Sequence, residues 1–344
     1  MKRIVVIDSF GCFFSSYYAM PKMNSPTGLP VSAIYGFCKD LFSIINDFNP
    51  YQVFCAFDLA GKGFRREIYP EYKKNRSETP VELTEQIPHI ERVVEAFQIP
   101  ILKCAGYEAD DVIATVATKA TGESPVIIVS SDKDCRQLLS DHVYLYNLRK
   151  REYYTVASLK VDWGITPEQC VDFQALCGDS SDNIPGARGI GQKTASELLQ
   201  KYWTLEGIYE NVGKVQGRRR DYLIAGKADA EISKQLVTLR KDVPVEISDV
   251  PYAGYDFDAL MRLFHEFGFN SLMSYLQPPM LLNSPIPNAP VIARTMMTTN
   301  TTMPQTAQPL SIIPVTNAAG DSLPSVVPAT PTQPEQVPLI KLPF

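Results

Sequence analysis

The chain alternates between two hydrophobic patterns and then abandons one of them. Short apolar runs occur at residues 3–7 (RIVVI), 52–57 (QVFCAF), 99–102, 126–129 (VIIV) and 142–146. Runs of that length between polar residues predict buried strands. Between them apolar positions recur at helical spacing: Ile34, Phe37, Leu41, Ile44, Ile45 and Phe48 within residues 31–48, and Ile87, Ile90, Val94 and Phe97 within residues 81–97. Another helix is expected to open near Glu108, after a turn at Gly106. Strand and helix in alternation predict an α/β fold, with a mostly parallel central sheet and flanking helices. From about residue 165 the strand pattern stops and helical periodicity continues over 168–176, 193–201, 221–239 and 258–275. The expected organisation is an α/β domain over 1–165 and a helical domain over 166–277.

Two stretches fit neither pattern. Residues 61–80 (GKGFRREIYPEYKKNRSETP) are polar, basic and aromatic. From Pro278 onward Pro, Thr, Asn, Ala and Met dominate, and the only charges are Arg294, Asp321, Glu335 and Lys341. Such a composition cannot bury enough surface to offset chain entropy, so a disordered tail is expected over 278–344.

The strand ends carry the chemistry. Sites of open α/β sheets lie outside the carboxyl ends of the strands, and three predicted strands end at carboxylates: Asp8, Asp58 and the pair Asp132 and Asp134. Two residues apart in extended chain, that pair points the same way. Glu108, Asp110 and Asp111 fall in a first helical turn, with Glu108 and Asp111 on neighbouring positions, and Asp179 and Asp182 repeat the spacing further on. Each has an ordinary reading alone, since Asp caps turns and acids complement a helix N-terminus. Nine together would repel and some would bind protons at neutral pH. Hard, oxygen-seeking Mg²⁺ or Mn²⁺ removes that conflict, and no His or Cys cluster competes for a softer ion. A two-ion site of this kind supports phosphodiester hydrolysis.

Close to Asp179 and Asp182 the chain makes a Pro185-Gly186 turn and then reads Gly189-Ile190-Gly191, with Lys193 and Thr194 opening a helix. A glycine-rich loop entering a helix presents bare N–H groups, which favour phosphate. The net charge of −5 and pI near 5.4 argue against a polyanionic partner. Setting the nine acids aside leaves 33 basic against 29 acidic residues, so the objection fails. Seven scattered cysteines without a CxxC pair predict reduced thiols and a cytoplasmic location. No apolar run approaches a membrane span, and residues 1–10 are too soon interrupted by Asp8 for a signal peptide.

These pieces resemble, in order, the bacterial 5′-nucleases of the flap endonuclease superfamily, close to the N-terminal domain of DNA polymerase I. The matching strings are VVID (5–8), AFD (56–58), FRREIYPEYKKNR (64–76), GYEADDVIAT (106–115), SDKDCRQLL (131–139) and GDSSDNIPGARGIGQKTA (178–195), together spanning residues 1–277. The resemblance implies a PIN/5′-nuclease-like fold and a 5′→3′ exonuclease and flap endonuclease using two divalent ions. Asp8, Asp58, Glu108 and Asp110 match the acids of the first ion and Asp132, Asp134, Asp179 and Asp182 those of the second. Asp111 matches a nearby acid of less direct role. Residues 61–85 correspond to a helical arch that gathers a 5′ single strand, in which Tyr72 offers a stacking face. Lys73 and Arg76 would steer the scissile phosphate, with Arg65 a weaker candidate. Gly189, Ile190, Gly191, Lys193 and Thr194 match a helix–three-turn–helix element, whose amides, with K⁺ among the implied ligands, hold duplex phosphates. Lys214 and Arg218 to Arg220 either extend that contact or form a solvated face.

Ser15 stands where the family usually has an arginine, which bears on placement of the 5′ end. The absence of a following polymerase sequence suggests a stand-alone nuclease, expected to be a monomer acting on branched or nicked DNA. Gln336, Leu339 and Ile340, within EQVPLIKLPF, are similar to short peptides that dock on bacterial sliding clamps; the alternative is apolar residues scattered in a linker. Two rival functions are a structure-specific DNA-binding protein without chemistry and a PIN-type ribonuclease. The full set of nine acids argues against the first, and the element at Gly189–Gly191, which PIN domains generally lack, against the second.

Overall fold

A computed structural model describes residues 2–59, 61, 63–120 and 124–277. The elements are β1 (Ile4–Asp8), α1 (Ser9–Ala19), α2 (Ser32–Phe48), β2 (Gln52–Ala56), α3 (Phe64–Ile68), α4 (Val81–Thr84), α5 (Ile87–Ala96), β3 (Ile101–Leu102), α6 (Ala109–Lys119), β4 (Val126–Val129), β5 (Val143–Asn147) and β6 (Glu152–Tyr154). The helical part follows with α7 (Val156–Asp162), α8 (Cys170–Cys177), α9 (Gln192–Tyr202), α10 (Leu205–Glu210), α11 (Arg218–Ala225), α12 (Lys227–Val237) and α13 (Phe257–Phe267). Residues 278–344, including the clamp-like peptide at Gln336, Leu339 and Ile340, lie outside the described residues.

The six strands lie in the order β3-β2-β1-β4-β5-β6, all parallel except β6, which runs antiparallel to β5. The chain builds outward from β1 to β2 and β3, then crosses to the other side for β4. The switch point is therefore between β1 and β4, where open sheets of this type leave a crevice at the strand ends. Side chains alternate across the sheet. Val5, Ile7, Val53, Cys55, Ile127 and Val129 enter the core shared with α2, α5 and α13, while Ile4, Val6, Phe54, Ala56, Val126 and Ile128 enter the core shared with α6 and the helical part. Burial on both faces explains why the strands read as unbroken apolar runs.

The change near residue 165 is one of secondary structure, not of packing. A single core runs from Val6 and Ile113 through Phe173, Leu176, Ile190 and Leu199. The last helix returns to the other face: Leu260, Leu263, Phe264 and Phe267 of α13 pack with Phe42, Val93 and Phe97. Three expected helices are broken, one of them over 258–275, where Gly268 (φ +75°) ends α13 at Phe267 and Asn270–Tyr275 form a separate 3-10 turn. Residues 81–97 divide at Gln86, whose buried amide oxygen leaves the run to accept from Ala33 N–H (2.8 Å) and Ile34 N–H (3.3 Å) at the start of α2. Residues 221–239 divide at Gly226, where a Cβ would sit 2.8 Å from the Ala187 Cα. Two unexpected elements matter for the site. Helix α1 starts directly at Asp8, and residues 179–184 form a small hairpin closed by Asp179 N–H to Ile184 C=O (2.9 Å) and Ile184 N–H to Asp179 C=O (2.7 Å).

Candidate active site

Sheet order puts the ends of β2, β1 and β4 side by side, and with them Asp8, Asp58 and the loop Ser130–Asp134. Asp8 ends β1 and caps α1, accepting from Gly11 N–H at 2.9 Å; its other oxygen accepts from Ser130 Oγ at 2.8 Å. A Cβ on Gly11 would collide with the Asp8 carboxylate, so the glycine is what lets α1 start this tightly. Asp58 accepts from Ala109 N–H (2.8 Å) and so ties the end of β2 to the start of α6. Glu108 is the N-cap of α6, with Asp110 in its first turn. Beyond β4, Asp132 accepts from Asp134 N–H (2.8 Å), which turns Asp134 inward, where Gln174 of α8 donates to it. Asp179 and Asp182 enter from the hairpin, both buried.

Eight acids are thereby assembled from both halves of the fold, and four cations meet them, of which Arg65 reaches Glu108 at 3.4 Å while pairing chiefly with Asp111. Lys73 Nζ lies 2.9 Å from Glu108 and 3.7 Å from Asp182. Arg76 Nε donates to Asp182 at 3.0 Å. Lys133 Nζ reaches Asp179 at 3.0 Å. Four positive charges, one of them shared with Asp111, do not balance eight negative ones, and the deficit shows in the acids. Burial first, then Asp132 and Asp58, push Asp8 up to about 6. Burial and Asp132 push Asp134 up to about 7. Asp110 is raised well above the usual range by burial and by Asp132, Asp8 and Asp134. Asp179 falls below it, its burial outweighed by Ser181 and Lys133. Among the described residues no three acids, histidines or cysteines close around one point, so the acids are gathered without forming a cage. An all-oxygen donor set short of positive charge fits a hard divalent ion, which retains several waters and needs only one or two carboxylates directly.

The raised carboxyls carry a sign that can be measured. They stay protonated in the fold to a higher pH than in the unfolded chain, where the value is near 3.8. Their stabilisation is fully present below that value and is lost as pH rises to about 6 and about 7, since the fold then binds more protons than the unfolded chain. Thermal unfolding in chelator is expected to weaken by several degrees between pH 4.5 and pH 7.5. A flat profile over that range would show that these acids are not mutually strained.

Three sequence expectations are corrected. Arg65 does not face solvent: it is 2% exposed and forks onto Asp111 at 2.7 and 2.8 Å, with further donation to the carbonyls of Leu236 (2.7 Å) and Thr238 (3.2 Å). Asp111, fully buried, is spent on that fork and on the N–H groups of Glu108 (3.1 Å) and Arg240 (2.8 Å), so it is a structural acid and has no oxygen free for an ion. Tyr72 offers no stacking face, because its ring is buried with Ile184, Leu236 and Val237 while its hydroxyl donates to Glu108 (3.1 Å). The basic segment around them lies along the hairpin, through Lys73 N–H to Asp182 C=O (2.9 Å) and Asn75 to Ser180 C=O (2.6 Å).

On the helical side, Gly191 is the N-cap of α9 and open to solvent, with Lys193 exposed beside it and Thr194 half-buried. Gly189 has φ +92° and lies beneath the Tyr222 ring, which leaves no room for a Cβ. Ile190 is buried and anchors the loop from below. Sequence reasoning missed Ser130, Lys133 and Gln174, ordinary residue types whose partners are distant in the chain. It also missed the aromatic row Phe10, Phe14 and Tyr18 on α1, a helix without a single charged residue. These rings touch in series (5.6 and 4.9 Å between centroids), and Tyr18 is 64% exposed. Their spacing of four was the available signal.

Residues 3–164 match the 5′-3′ exonuclease N-terminal resolvase-like domain, and residues 165–258 the 5′-3′ exonuclease C-terminal SAM fold. The DNA polymerase I of Bacillus caldotenax is 37% identical over 286 residues, 81% of this chain and 33% of that protein. The chain thus spans about a third of the length of the polymerase relatives it matches. A 5′-3′ exonuclease of Aquifex aeolicus is 37% identical over 276 residues, 79% of this chain and 94% of that one. In fold, the chain resembles the T5 5′-exonuclease solved with bound zinc (TM-score 0.58, 21% identity, 79% of this chain and 98% of that one). It also resembles the catalytic core of Rad2 solved with a DNA substrate (TM-score 0.53, 15% identity, 80% and 93%). Among the described residues no helix is long and apolar enough to cross a membrane. With both domain matches in sequence and a relative covered almost end to end, the chain belongs to the 5′-3′ exonuclease family.

Proposed function

We propose that this protein is a metal-dependent 5′-3′ exonuclease and structure-specific flap endonuclease, which hydrolyses phosphodiester bonds near the 5′ end of DNA or of RNA primers. The observation that carries the proposal is the convergence of eight acids at the switch point of the sheet, within one compact unit that also presents the Gly189–Gly191 loop. Asp8, Asp58, Glu108 and Asp110 would hold one Mg²⁺ or Mn²⁺ and Asp132, Asp134, Asp179 and Asp182 a second. Bound there, the ions would supply the hydroxide and neutralise charge on the leaving oxygen.

The chain's own residues bind and orient. The exposed amides at Gly189 and Gly191, with Lys193 and Thr194, would hold duplex phosphates without reading bases, and a K⁺ at that loop is part of the same proposal. Lys73 and Arg76 now serve as counter-ions to Glu108 and Asp182. An arriving phosphate would exchange with those acids and draw both cations onto itself, where they would stabilise developing charge. The row Phe10, Phe14 and Tyr18 would stack successive bases of the single strand, a sequence-tolerant contact. The Ser15 position, and the sliding clamp proposed for the tail at Gln336, Leu339 and Ile340, remain parts of the proposal that bear on substrate placement and recruitment. Monomeric action on branched or nicked DNA, in cytoplasmic replication and repair, completes it; all seven cysteines are free thiols.

The test is a 5′-labelled flap with Mg²⁺ or Mn²⁺. Short 5′ products are expected from the wild type, none with EDTA, and none from Asp132→Ala or Asp182→Ala. A protein that binds the flap and never cuts it in either ion would leave only the DNA-binding alternative.

A further inference from the structure

Asp8, Asp58, Glu108, Asp110, Asp132 and Asp134 come from the half of the fold opposite the Gly189–Gly191 loop, while Asp179 and Asp182 lie on the loop's own side, so contacts across the junction bear on the distance between the six and the loop. From the hairpin to the loop the backbone leaves little play. Beyond the two Asp179–Ile184 bonds, Ser181 N–H (2.9 Å) and Oγ both donate to the Asp179 carboxylate. At the hairpin base Gly178 (φ +69°) and Gly186 (φ +61°) cross so closely that a Cβ on Gly178 would lie 2.9 Å from the Gly186 nitrogen. The run continues through Ala187 N–H to Leu176 C=O (2.9 Å) and Ile190 N–H to Ala187 C=O (2.9 Å), and ends on the buried Ile190. The hairpin and the Gly189–Gly191 loop therefore move as one piece.

Two side-chain bonds join the loop after β4 to the helical half, one of them to α8 and the other to the hairpin itself. One is Gln174 to Asp134, in which the other amide atom of Gln174, Oε1, is buried without a partner. The other is Lys133, which stands between Asp132 and Asp134 in sequence yet extends its ammonium to Asp179, across the junction, at 3.0 Å. Asp179 is buried, so the pair is less screened than a surface ion pair. We propose that Lys133 is a positioning residue that sets the register of cleavage, meaning the number of nucleotides between the gripped duplex and the bond that is cut. The inference rests on the exonuclease reading. One nucleotide advances a duplex strand by about 3.4 Å, so a shift of about half that between grip and acids makes two neighbouring phosphates equally accessible.

The experiment compares wild type, Lys133→Met and Lys133→Arg on one 5′-labelled flap in Mg²⁺ under single-turnover conditions, with product lengths resolved on a denaturing gel. The wild type is expected to give one dominant length. Lys133→Met is expected to raise the ratio of the neighbouring product to the dominant one by roughly 5-fold or more, the change that about 1 kcal/mol of lost preference produces. Lys133→Arg, which keeps the charge, is expected to restore the single length. Should Lys133→Met not fold, Lys133→Gln is read in its place. Cutting at the wild-type position, however slow, overturns the inference. So does a folded Lys133→Met that cuts nothing, which would move Lys133 into the chemistry itself. A wild type that binds without cutting overturns the exonuclease reading and this inference together.

Discussion

Asp110→Asn is expected to lower flap cleavage by about 10³-fold or more, the scale seen when one preorganised charge-stabilising group is lost, while making the ion-free protein more stable. The two effects share a cause. Asp110 sits in the first turn of α6, and its carboxyl is raised well above the ordinary range by burial and by Asp132, Asp8 and Asp134. Folding without ions must either protonate it or accept that repulsion. Asparagine keeps the shape and removes the charge, so the gain is expected to be about 1 kcal/mol, in line with the usual exchange of stability for activity at a strained site. Thermal unfolding in chelator and single-turnover cleavage in Mg²⁺ measure the two arms. A variant that is inactive and also less stable would mean that Asp110 is primarily a structural acid, as Asp111 is. A variant that cuts normally would remove Asp110 from the centre.

Arg65→Ala is expected to destabilise the fold by about 3–5 kcal/mol, because breaking a buried ion pair leaves the other charge uncompensated. The stranded group is Asp111, fully buried, and the carbonyls of Leu236 and Thr238 lose their donor as well. The loss is partly recovered in Arg65→Ala with Asp111→Ala, which removes both charges. Below its unfolding transition the single variant is expected to bind flap DNA with wild-type affinity, since Arg65 does not reach the surface. Denaturant unfolding and a binding titration separate the cases. An unchanged unfolding midpoint with weakened DNA binding would return Arg65 to the nucleic-acid interface.

The contrast between Arg65 and its neighbours Lys73 and Arg76 shows where local reading ends. All three lie in one basic stretch, and nothing in FRREIYPEYKKNR marks which cation turns inward. The deciding partner of Arg65, Asp111, is 46 residues away, and its carbonyl acceptors on α12 and just beyond are more than 170 residues away. Helix α1 was hidden for a different reason. SFGCFFSSYYA has no charged face, so it lacks the amphipathic contrast by which a surface helix is recognised.

The sequence by itself determined five of the six strands and the acids that end or follow three of them, because a run buried on both faces is apolar throughout; β6, half-exposed and opening on Glu152, carries no such run. It also determined the glycine loop at Gly189–Gly191, whose backbone admits few other residues at Gly189. Only the tertiary structure decided which acids are available to an ion and which are spent internally. That outcome separates Asp110 from its neighbour Asp111, and it depends on what each carboxylate meets across the fold: other acids in one case, a buried guanidinium in the other. The pairing of Lys133 with Asp179 was decided there too, since it joins two halves of the chain and leaves no mark on either.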